Sequence, residues 1–155
     1  MTHLLGLVSD THGLVRPQLH ALLAGVEAIL HAGDVGDPAV LHELAAIAPV
    51  FAVRGNVDDP WDPNLAPTLV HEAGGLAIRV THGDELGSPR PPALAARYPE
   101  PVIVYGHTHQ ALVARVAGRL VVNPGSAGPK RFRLAPSVAR LTVEDGRADA
   151  VIVAL

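Results

Sequence analysis

Four of the nine histidines lie in short motifs beside glycine, aspartate or threonine. Imidazole is the commonest metal ligand among protein side chains, and it also carries protons near neutral pH. The strongest motif is Gly106-His107-Thr108-His109, because two imidazoles two residues apart on a turn can hold two metal ions. The remaining two histidines occur in Asp10-Thr11-His12 and Thr81-His82-Gly83. Metal binding is therefore the first chemistry to consider.

These motifs, with Gly33-Asp34 and Gly55-Asn56, follow five short apolar segments that are typical of buried strands. The segments are residues 4–8, 28–30, 50–53, 76–81 and 102–105. In open α/β sheets ligands bind outside the carboxyl ends of the strands, so five strands would deliver polar groups to one edge. The seven candidate metal ligands are Asp10, His12, Asp34, Asn56, His82, His107 and His109.

Each motif taken alone has a plain structural explanation. Asp10 and His12 also suit a capped turn, Asn56 suits an Asx turn, and the paired histidines suit a solvated loop. All five motifs in order, each after an apolar segment, favour a joint site over these separate explanations.

The ligand set indicates two ions rather than one. Seven groups exceed the four that a tetrahedral site uses, and one carboxylate can bridge two ions. Oxygen and imidazole ligands without thiolate point to Mn, Fe, Zn, Co or Ni rather than Ca.

Strands and helices alternate in the first half of the chain, with helices predicted over residues 17–23 and 38–47. Asp37 is expected to cap the second of these, with Pro38 at its first position. Three hairpins, over residues 68–81, 111–123 and 138–153, and a helix over 93–97 are predicted in the second half. The pattern predicts one α/β domain over residues 1–155, with a parallel N-terminal half and an antiparallel C-terminal half.

Composition excludes several function classes. The chain has no cysteine, which removes disulfides, zinc-thiolate sites and cysteine nucleophiles. The net charge is −3 and the basic residues form no face, so a sequence-independent grip on nucleic acid is not expected. The N-terminus lacks a signal-peptide pattern and no apolar run is long enough to span a bilayer, so we expect a cytoplasmic protein without a membrane partner.

The five motifs together resemble the calcineurin-like metallophosphoesterase family, and most closely its small bacterial and archaeal phosphodiesterases. Asn123-Pro124-Gly125-Ser126 also matches those enzymes. The resemblance implies a two-sheet β-sandwich flanked by helices, and two divalent ions, with manganese as our first expectation. It implies that Asp34 bridges the ions and that a water or hydroxide between them is the nucleophile. Asp10, His12 and His109 would hold one ion, and Asn56, His82 and His107 the other.

This resemblance predicts an enzyme that hydrolyses phosphodiester bonds of small substrates, with Asp10, His12, Asp34, Asn56 and His107 as catalytic residues. One alternative is a phosphomonoesterase or protein phosphatase of the same family. Another is a non-catalytic scaffold, because a subunit of the eukaryotic retromer coat shares this fold and binds proteins. Close relatives often associate, so we also expect a homodimer.

The chain departs from the family pattern at two positions. Val57 stands where many relatives have a histidine that can protonate the leaving group. Asp84 follows the His-Gly pair where many close relatives have another histidine, and it either orients His82 or is a surface turn residue.

Other polar residues near the motifs have less definite roles. Asp58 either supports a ligand or caps a turn, and Asn123 with Ser126 either shapes the pocket or forms a simple turn. For Lys130 and Arg131 a solvated loop is favoured over contact with a substrate phosphate. His31 is expected to be a core histidine with satisfied hydrogen bonds.

Overall fold

The computed structural model describes residues 1–131 and 133–155. Within these ranges the N-terminal half contains β1 (Thr2–Val8), α1 (Gln18–Leu22), β2 (Ala28–His31), α2 (Pro38–Ala45) and β3 (Val50–Ala52). The remainder contains β4 (Thr68–Ala73), β5 (Leu76–Thr81), a 3-10 turn (Asp84–Leu86), α3 (Pro91–Arg97), β6 (Val102–Val104), β7 (Leu112–Val116), β8 (Arg119–Asn123), β9 (Ser137–Glu144) and β10 (Arg147–Ala154).

The strands form two five-stranded sheets, ordered β10-β9-β1-β2-β3 and β4-β5-β6-β8-β7. In the first sheet β1, β2 and β3 run parallel, and β9 pairs antiparallel with β1. In the second sheet β5, β6 and β8 run parallel, whereas β4 and β7 are antiparallel edge strands. The expected two-sheet α/β sandwich is confirmed.

The expected division into a parallel first half and an antiparallel second half needs correction, because both sheets are mixed. The last hairpin, β9–β10, joins the first sheet instead of the second. Strand β7 lies at the edge outside β8, so the chain that leaves β6 returns through the β7–β8 hairpin and places β8 parallel to β6. The local sequence of a hairpin does not show which earlier strand of the chain it pairs with.

The main core lies between the two sheets and is built from alternating aliphatic residues, among them Leu5, Leu7, Ile78 and Val122. Helices α1 and α2 cover the outer face of the first sheet, and α3 covers the second. The cap of α2 is as predicted, since Asp37 accepts a hydrogen bond from the Ala39 N–H at 2.9 Å. Among the described residues, no helix is long and apolar enough to cross a membrane.

Candidate metal centre

The seven candidate ligands lie on the loops that follow β1, β2, β3, β5 and β6. Three of these loops leave the first sheet and two leave the second, so the site lies where the carboxyl ends of both sheets meet. Neighbouring loops are tied by backbone hydrogen bonds, from Asp10 N–H to the Gly33 carbonyl and from His12 N–H to the Asp34 carbonyl, each 3.0 Å long. Short strands thus present side chains from distant parts of the chain to one another.

Five of the seven candidates have a left-handed backbone, with φ of 55° at Asp10, 46° at His12, 53° at Asp34, 72° at His107 and 62° at His109. Residues other than glycine rarely adopt this conformation, and it costs free energy that the surrounding structure must supply. Such conformations concentrate at active sites and ligand clamps. Of the eight non-glycine residues with positive φ in the described part of the chain, these five are candidate ligands, whereas Ala117, Arg133 and Asp145 lie outside the site.

The first half of the centre is built around the buried carboxylate of Asp10. Its Oδ2 accepts hydrogen bonds from the Ser9 hydroxyl at 2.6 Å and from the His107 N–H at 3.1 Å. Its Oδ1 is buried without a hydrogen-bond partner. Three imidazole Nε2 atoms surround this oxygen, those of His109 at 3.3 Å, His12 at 3.9 Å and His82 at 3.9 Å.

A buried carboxylate oxygen without a partner is costly, and most such atoms in folded proteins are satisfied. Nε2 of His12 and Nδ1 of His109 are also buried without partners. A divalent cation between the carboxylate and the imidazoles would satisfy this oxygen and the His12 nitrogen. Carboxylate oxygen and imidazole nitrogen are ligands that transition-metal ions accept, so the residues fit the metal that the sequence implies.

The second half of the centre is organised around the side-chain oxygen of Asn56. This Oδ1 accepts hydrogen bonds from Nε2 of His82 at 3.0 Å and from Nδ1 of His107 at 3.1 Å. The rings of His82 and His107 meet edge to face, with centroids 5.1 Å apart. Asn56 is exposed and His107 half-buried, whereas Asp10 and His109 in the first half are buried. The second half is therefore the more open and has its own hydrogen bonds.

Asp34 lies between the two halves. Its Oδ2 is 3.6 Å from Nε2 of His12 and 3.3 Å from Nε2 of His82, and its Oδ1 accepts a hydrogen bond from the Val57 N–H at 3.0 Å. Two groups of three side chains have ligand atoms within 4.8 Å of one another, namely Asp10, His12 and His109, and Asp10, Asp34 and His82. Asp34 is thus positioned to face both halves.

The electrostatics of the two halves differ. Burial alone would lower the pKa of His82, but the Asp34 carboxylate, whose Oδ2 lies 3.3 Å from Nε2, and the charge of Asp10 outweigh it and raise the pKa to about 9. Burial lowers the pKa of His12 despite the same carboxylates. For Asp34, burial is outweighed by the nearby His82 and by the hydrogen bond from the Val57 N–H, which lower its pKa. The two shifts favour a charged His82 beside an ionised Asp34.

The chain matches the calcineurin-like phosphoesterase superfamily domain over residues 4–146. It belongs to this superfamily. A probable metallophosphoesterase of Methanothermobacter thermautotrophicus is 31% identical in an alignment of 160 positions. The alignment covers 97% of this chain and 91% of that protein. A phosphodiesterase of Methanocaldococcus jannaschii is 27% identical, in an alignment that covers 78% of this chain and 82% of that protein.

Among solved structures, vacuolar protein sorting 29 from Cryptosporidium parvum has a TM-score of 0.81 and is 22% identical, over 99% of this chain and 98% of that chain. At this identity the likeness concerns the fold alone. The family expected from the sequence motifs is confirmed, and it is a family of metal-dependent phosphoesterases.

Asp58 holds together the two loops that carry Asp34 and Asn56. Its carboxylate accepts hydrogen bonds from the N–H groups of Val35 at 3.1 Å, Gly36 at 3.0 Å and Gly55 at 2.8 Å. These donors lie beside Asp34 in one loop and Asn56 in the other. The structure thereby favours the supporting role of Asp58 over a plain cap.

Asn123 and Ser126 hold the other side of the site. Asn123 donates to the Gly106 carbonyl at 3.2 Å and the Thr108 hydroxyl at 3.0 Å, which fastens the loop that carries His107 and His109. Ser126 donates to the Asp10 carbonyl at 3.0 Å. Both residues are buried, so the Asn-Pro-Gly-Ser segment does more than turn the chain.

Glycine is required at Gly55 and Gly106 because neighbouring loops come too close for a side chain. A Cβ on Gly55 would collide with Oδ1 of Asp34, and a Cβ on Gly106 would collide with the hydroxyl of Ser9. The glycines beside Asn56 and His107 are therefore part of the site. Ser9 itself was missed by sequence reasoning, because a serine after a strand carries no pattern that distinguishes it.

His31 is a buried histidine outside the ligand set, as expected. Its Nδ1 accepts from the Gly33 N–H at 3.1 Å, and its Nε2 lies 3.0 Å from the Thr11 hydroxyl, which donates to the Val35 carbonyl. Burial lowers its pKa to about 4, so the ring is neutral near pH 7. His31 packs behind the two loops that carry Asp10 and Asp34.

Four further residues lie around the rim. Asp84 is exposed at the start of the 3-10 turn, and both ring nitrogens of His82 have other partners, the Ala32 carbonyl and Asn56. Asp84 is therefore better explained as a surface turn residue than as a group that orients His82. Lys130 and Arg131 are exposed, and the Arg131 charge helps to lower the pKa of His12. The Val57 side chain is 54% exposed beside Asp34.

Proposed function

We propose that this phosphoesterase hydrolyses phosphodiesters with two divalent ions held by Asp10, His12, Asp34, Asn56, His82, His107 and His109. The observation that carries the proposal is the buried Oδ1 of Asp10, which has three imidazole nitrogens around it and no hydrogen bond. Family membership supports phosphoester chemistry, and the M. jannaschii relative is named a phosphodiesterase. When bound, two ions would activate a water and neutralise the phosphate oxygens.

The protein's own residues prepare the site for that chemistry. Asp34 faces both halves, so its carboxylate would hold the two ions at a fixed separation. The Ser9 hydroxyl and the His107 N–H fix the Asp10 carboxylate with Oδ1 toward the site. The Nδ1–H of His82 donates to the Ala32 carbonyl at 2.8 Å, which leaves Nε2 to face the ions. Ser9 and Ala32 are therefore positioning groups.

The ions and their substrate can be tested together. We expect about two transition-metal ions per chain by elemental analysis, loss of activity on dialysis against chelator, and its return with Mn first, or with Co or Ni. A panel of aryl diesters and aryl monoesters should show faster hydrolysis of the diesters. Preference for monoesters would favour a phosphomonoesterase, and a protein that binds no metal and hydrolyses nothing would favour the scaffold alternative.

Val57 adds a prediction about the leaving group. A valine donates no proton, so an alkoxide must leave without help, whereas a nitrophenolate leaves easily. General-acid assistance is typically worth about 10²–10⁴-fold in rate. We therefore propose that the enzyme prefers activated aryl diesters to unactivated alkyl ones.

The test is a plot of log rate against leaving-group pKa for the parent enzyme and Val57→His. The half-exposed Val57 side chain leaves room for an imidazole, so the variant should accelerate alkyl esters by up to about 10²-fold and change aryl esters little. The steep slope of the parent should flatten. Val151→His on the edge strand β10, where the valine is 64% exposed, is the matched control. Parallel lines for parent and variant would refute a leaving-group role.

A further inference from the structure

Two of the pockets near the metal centre, one lined by Val57 and one by His107, differ in charge and size. The first lies beside Val57 and encloses about 220 Å³. Four carboxylates line it, those of Asp37, Asp58, Asp59 and Asp62. The second, which we call the Arg90 pocket, encloses about 440 Å³ and is lined by Arg90, Tyr105, His107, Gln110 and Leu112 among others. A candidate metal ligand, His107, thus forms part of its wall.

The charges of the two pockets decide which of them can accept an anionic substrate. A phosphodiester carries one negative charge near neutral pH, so four carboxylates repel an extended anionic substrate from the first pocket. The residues that line the Arg90 pocket include no carboxylate. In the part of the chain that the structure describes, the arginines paired with carboxylates are Arg79 and Arg115, and Arg90 forms no such ion pair. Its guanidinium is therefore available to a ligand.

The lining of the Arg90 pocket suits a planar polar group. An arginine guanidinium stacks on aromatic rings and donates several hydrogen bonds in one plane. Gln110 contributes an amide donor and acceptor, and Leu112, which is 36% exposed, contributes apolar surface. A volume of about 440 Å³ falls within the range of small-molecule pockets, whereas that of the first pocket does not.

We propose that the Arg90 pocket binds a nucleoside that remains esterified to the phosphate, so that the substrates of this enzyme are nucleoside phosphodiesters. The inference rests on the proposed diesterase function and adds its substrate class. Val57 lines the first pocket and His107 lines the second, so the leaving group lies on the Val57 side and the retained nucleoside on the Arg90 side. Arg90 and Gln110 set specificity and take no part in bond breaking.

The test compares two diesters with the same leaving group, the p-nitrophenyl esters of thymidine 5′-phosphate and of methyl phosphate. Because the broken bond is the same, a difference in kcat/KM reports the retained substituent. The parent should favour the thymidine ester about tenfold or more. Arg90→Ala should remove most of that preference through KM, and change the methyl ester less than twofold. Gln110→Ala should have a smaller effect in the same direction.

Two variants control for charge and shape. Arg147→Ala removes an equal charge in the exposed β9–β10 turn, at the opposite end of the first sheet, and should leave both esters unchanged. Arg90→Lys keeps the charge without the planar donor array and should restore only part of the preference. Equal losses on both esters, or no loss on either, in a normally folded Arg90→Ala protein would overturn the proposal.

A binding measurement separates this proposal from the proposed function. Calorimetry should detect binding of thymidine 5′-monophosphate to the metal-loaded parent, about tenfold weaker in Arg90→Ala. If the parent hydrolyses neither ester but binds the nucleotide through Arg90, the diesterase proposal has failed and the pocket stands. If it hydrolyses both esters alike and Arg90→Ala binds the nucleotide as well as the parent, the pocket proposal has failed alone.

Discussion

The two halves of the metal centre contain similar side chains that differ in whether their polar atoms have hydrogen-bond partners. In the half built on Asp10, His12 and His109, buried polar atoms lack hydrogen-bond partners. In the half built on Asn56, His82 and His107, Asn56 accepts hydrogen bonds from both imidazoles. His82 there donates from both ring nitrogens, to the Ala32 carbonyl and to Asn56, which is the pattern of an imidazolium.

This difference indicates that the two halves would bind the two proposed ions with different affinities. An ion entering the first half satisfies atoms that have no partner, so it displaces little. An ion entering the second half must replace hydrogen bonds at Asn56 and a proton on His82. We therefore expect the first half to bind its ion more tightly, with Asp34 coupling the two.

The largest expected effect concerns Asp34, which belongs to both halves. Asp34→Asn should lower turnover by about 10³-fold or more at any metal concentration. The two proposed metal ions would stabilise the charge of the transition state by several kcal/mol, and this depends on both being held in position. Asn56→Ala should disturb only the second half and regain part of its activity in excess metal. Steady-state rates measured across a metal titration make the comparison.

Folding of both variants must be checked by circular dichroism, since Asp34 also accepts a hydrogen bond from the Val57 N–H. Rescue of the two variants to the same extent would contradict a bridging role for Asp34. It would also remove the reason for treating the halves as coupled.

A smaller effect is expected in the metal affinities of the parent protein. The pKa of His82 is raised to about 9, so at pH 7 an ion in the second half would have to displace a proton, and it should bind on the order of 100-fold more weakly than above pH 9. The pKa of His12 is lowered, so that ring has no proton to lose at pH 7. Calorimetric titration should therefore resolve two unequal steps.

The sign of the pH dependence follows from the same group. Between pH 7 and 9 the affinity for the second ion should rise about tenfold per pH unit and then level off, because the proton is lost as pH approaches 9. The affinity for the first ion should change far less over this range. Two steps that stay equal, or that shift together with pH, would mean that the hydrogen bonds at Asn56 do not distinguish the halves.

The sequence identified the candidate ligands but not the difference between them. All seven candidates could be predicted because each follows an apolar segment in a short motif, and the strands deliver them to one edge. His31 and His82 both sit at the end of a strand near a glycine, yet one ring is neutral and the other charged. That distinction depends on partners such as Asn56 and Gly33, which local patterns do not identify.

The sheet order and the supporting contacts were equally out of reach. Strand β6 pairs with β8 and the C-terminal hairpin pairs with β1 because of long-range packing between the sheets. The left-handed backbone at Asp10 or His109 follows from how the loops interlock, since neither residue type requires it. The sequence therefore predicted which side chains meet and left open how they are held.

The smallest effect tests the support of two ligand-bearing loops. Asp58 accepts three N–H groups, from Val35, Gly36 and Gly55, and so ties the Asp34 loop to the Asn56 loop. Asp58→Asn replaces one acceptor oxygen with a donor, so at least one of these N–H groups loses its hydrogen bond. We expect a loss of about 1–2 kcal/mol in the free energy of unfolding, measured by urea denaturation.

The matched control is Asp59→Asn. Asp59 accepts from the Trp61 N–H through one oxygen in an Asx turn, and asparagine keeps that bond, so the change should be under about 0.5 kcal/mol. Because Asp58 holds the loop that carries Asn56, Asp58→Asn should also weaken the second ion a few-fold and leave the first unchanged. If both ions weaken equally, Asp58 acts through Asp34, and the second half has no separate support.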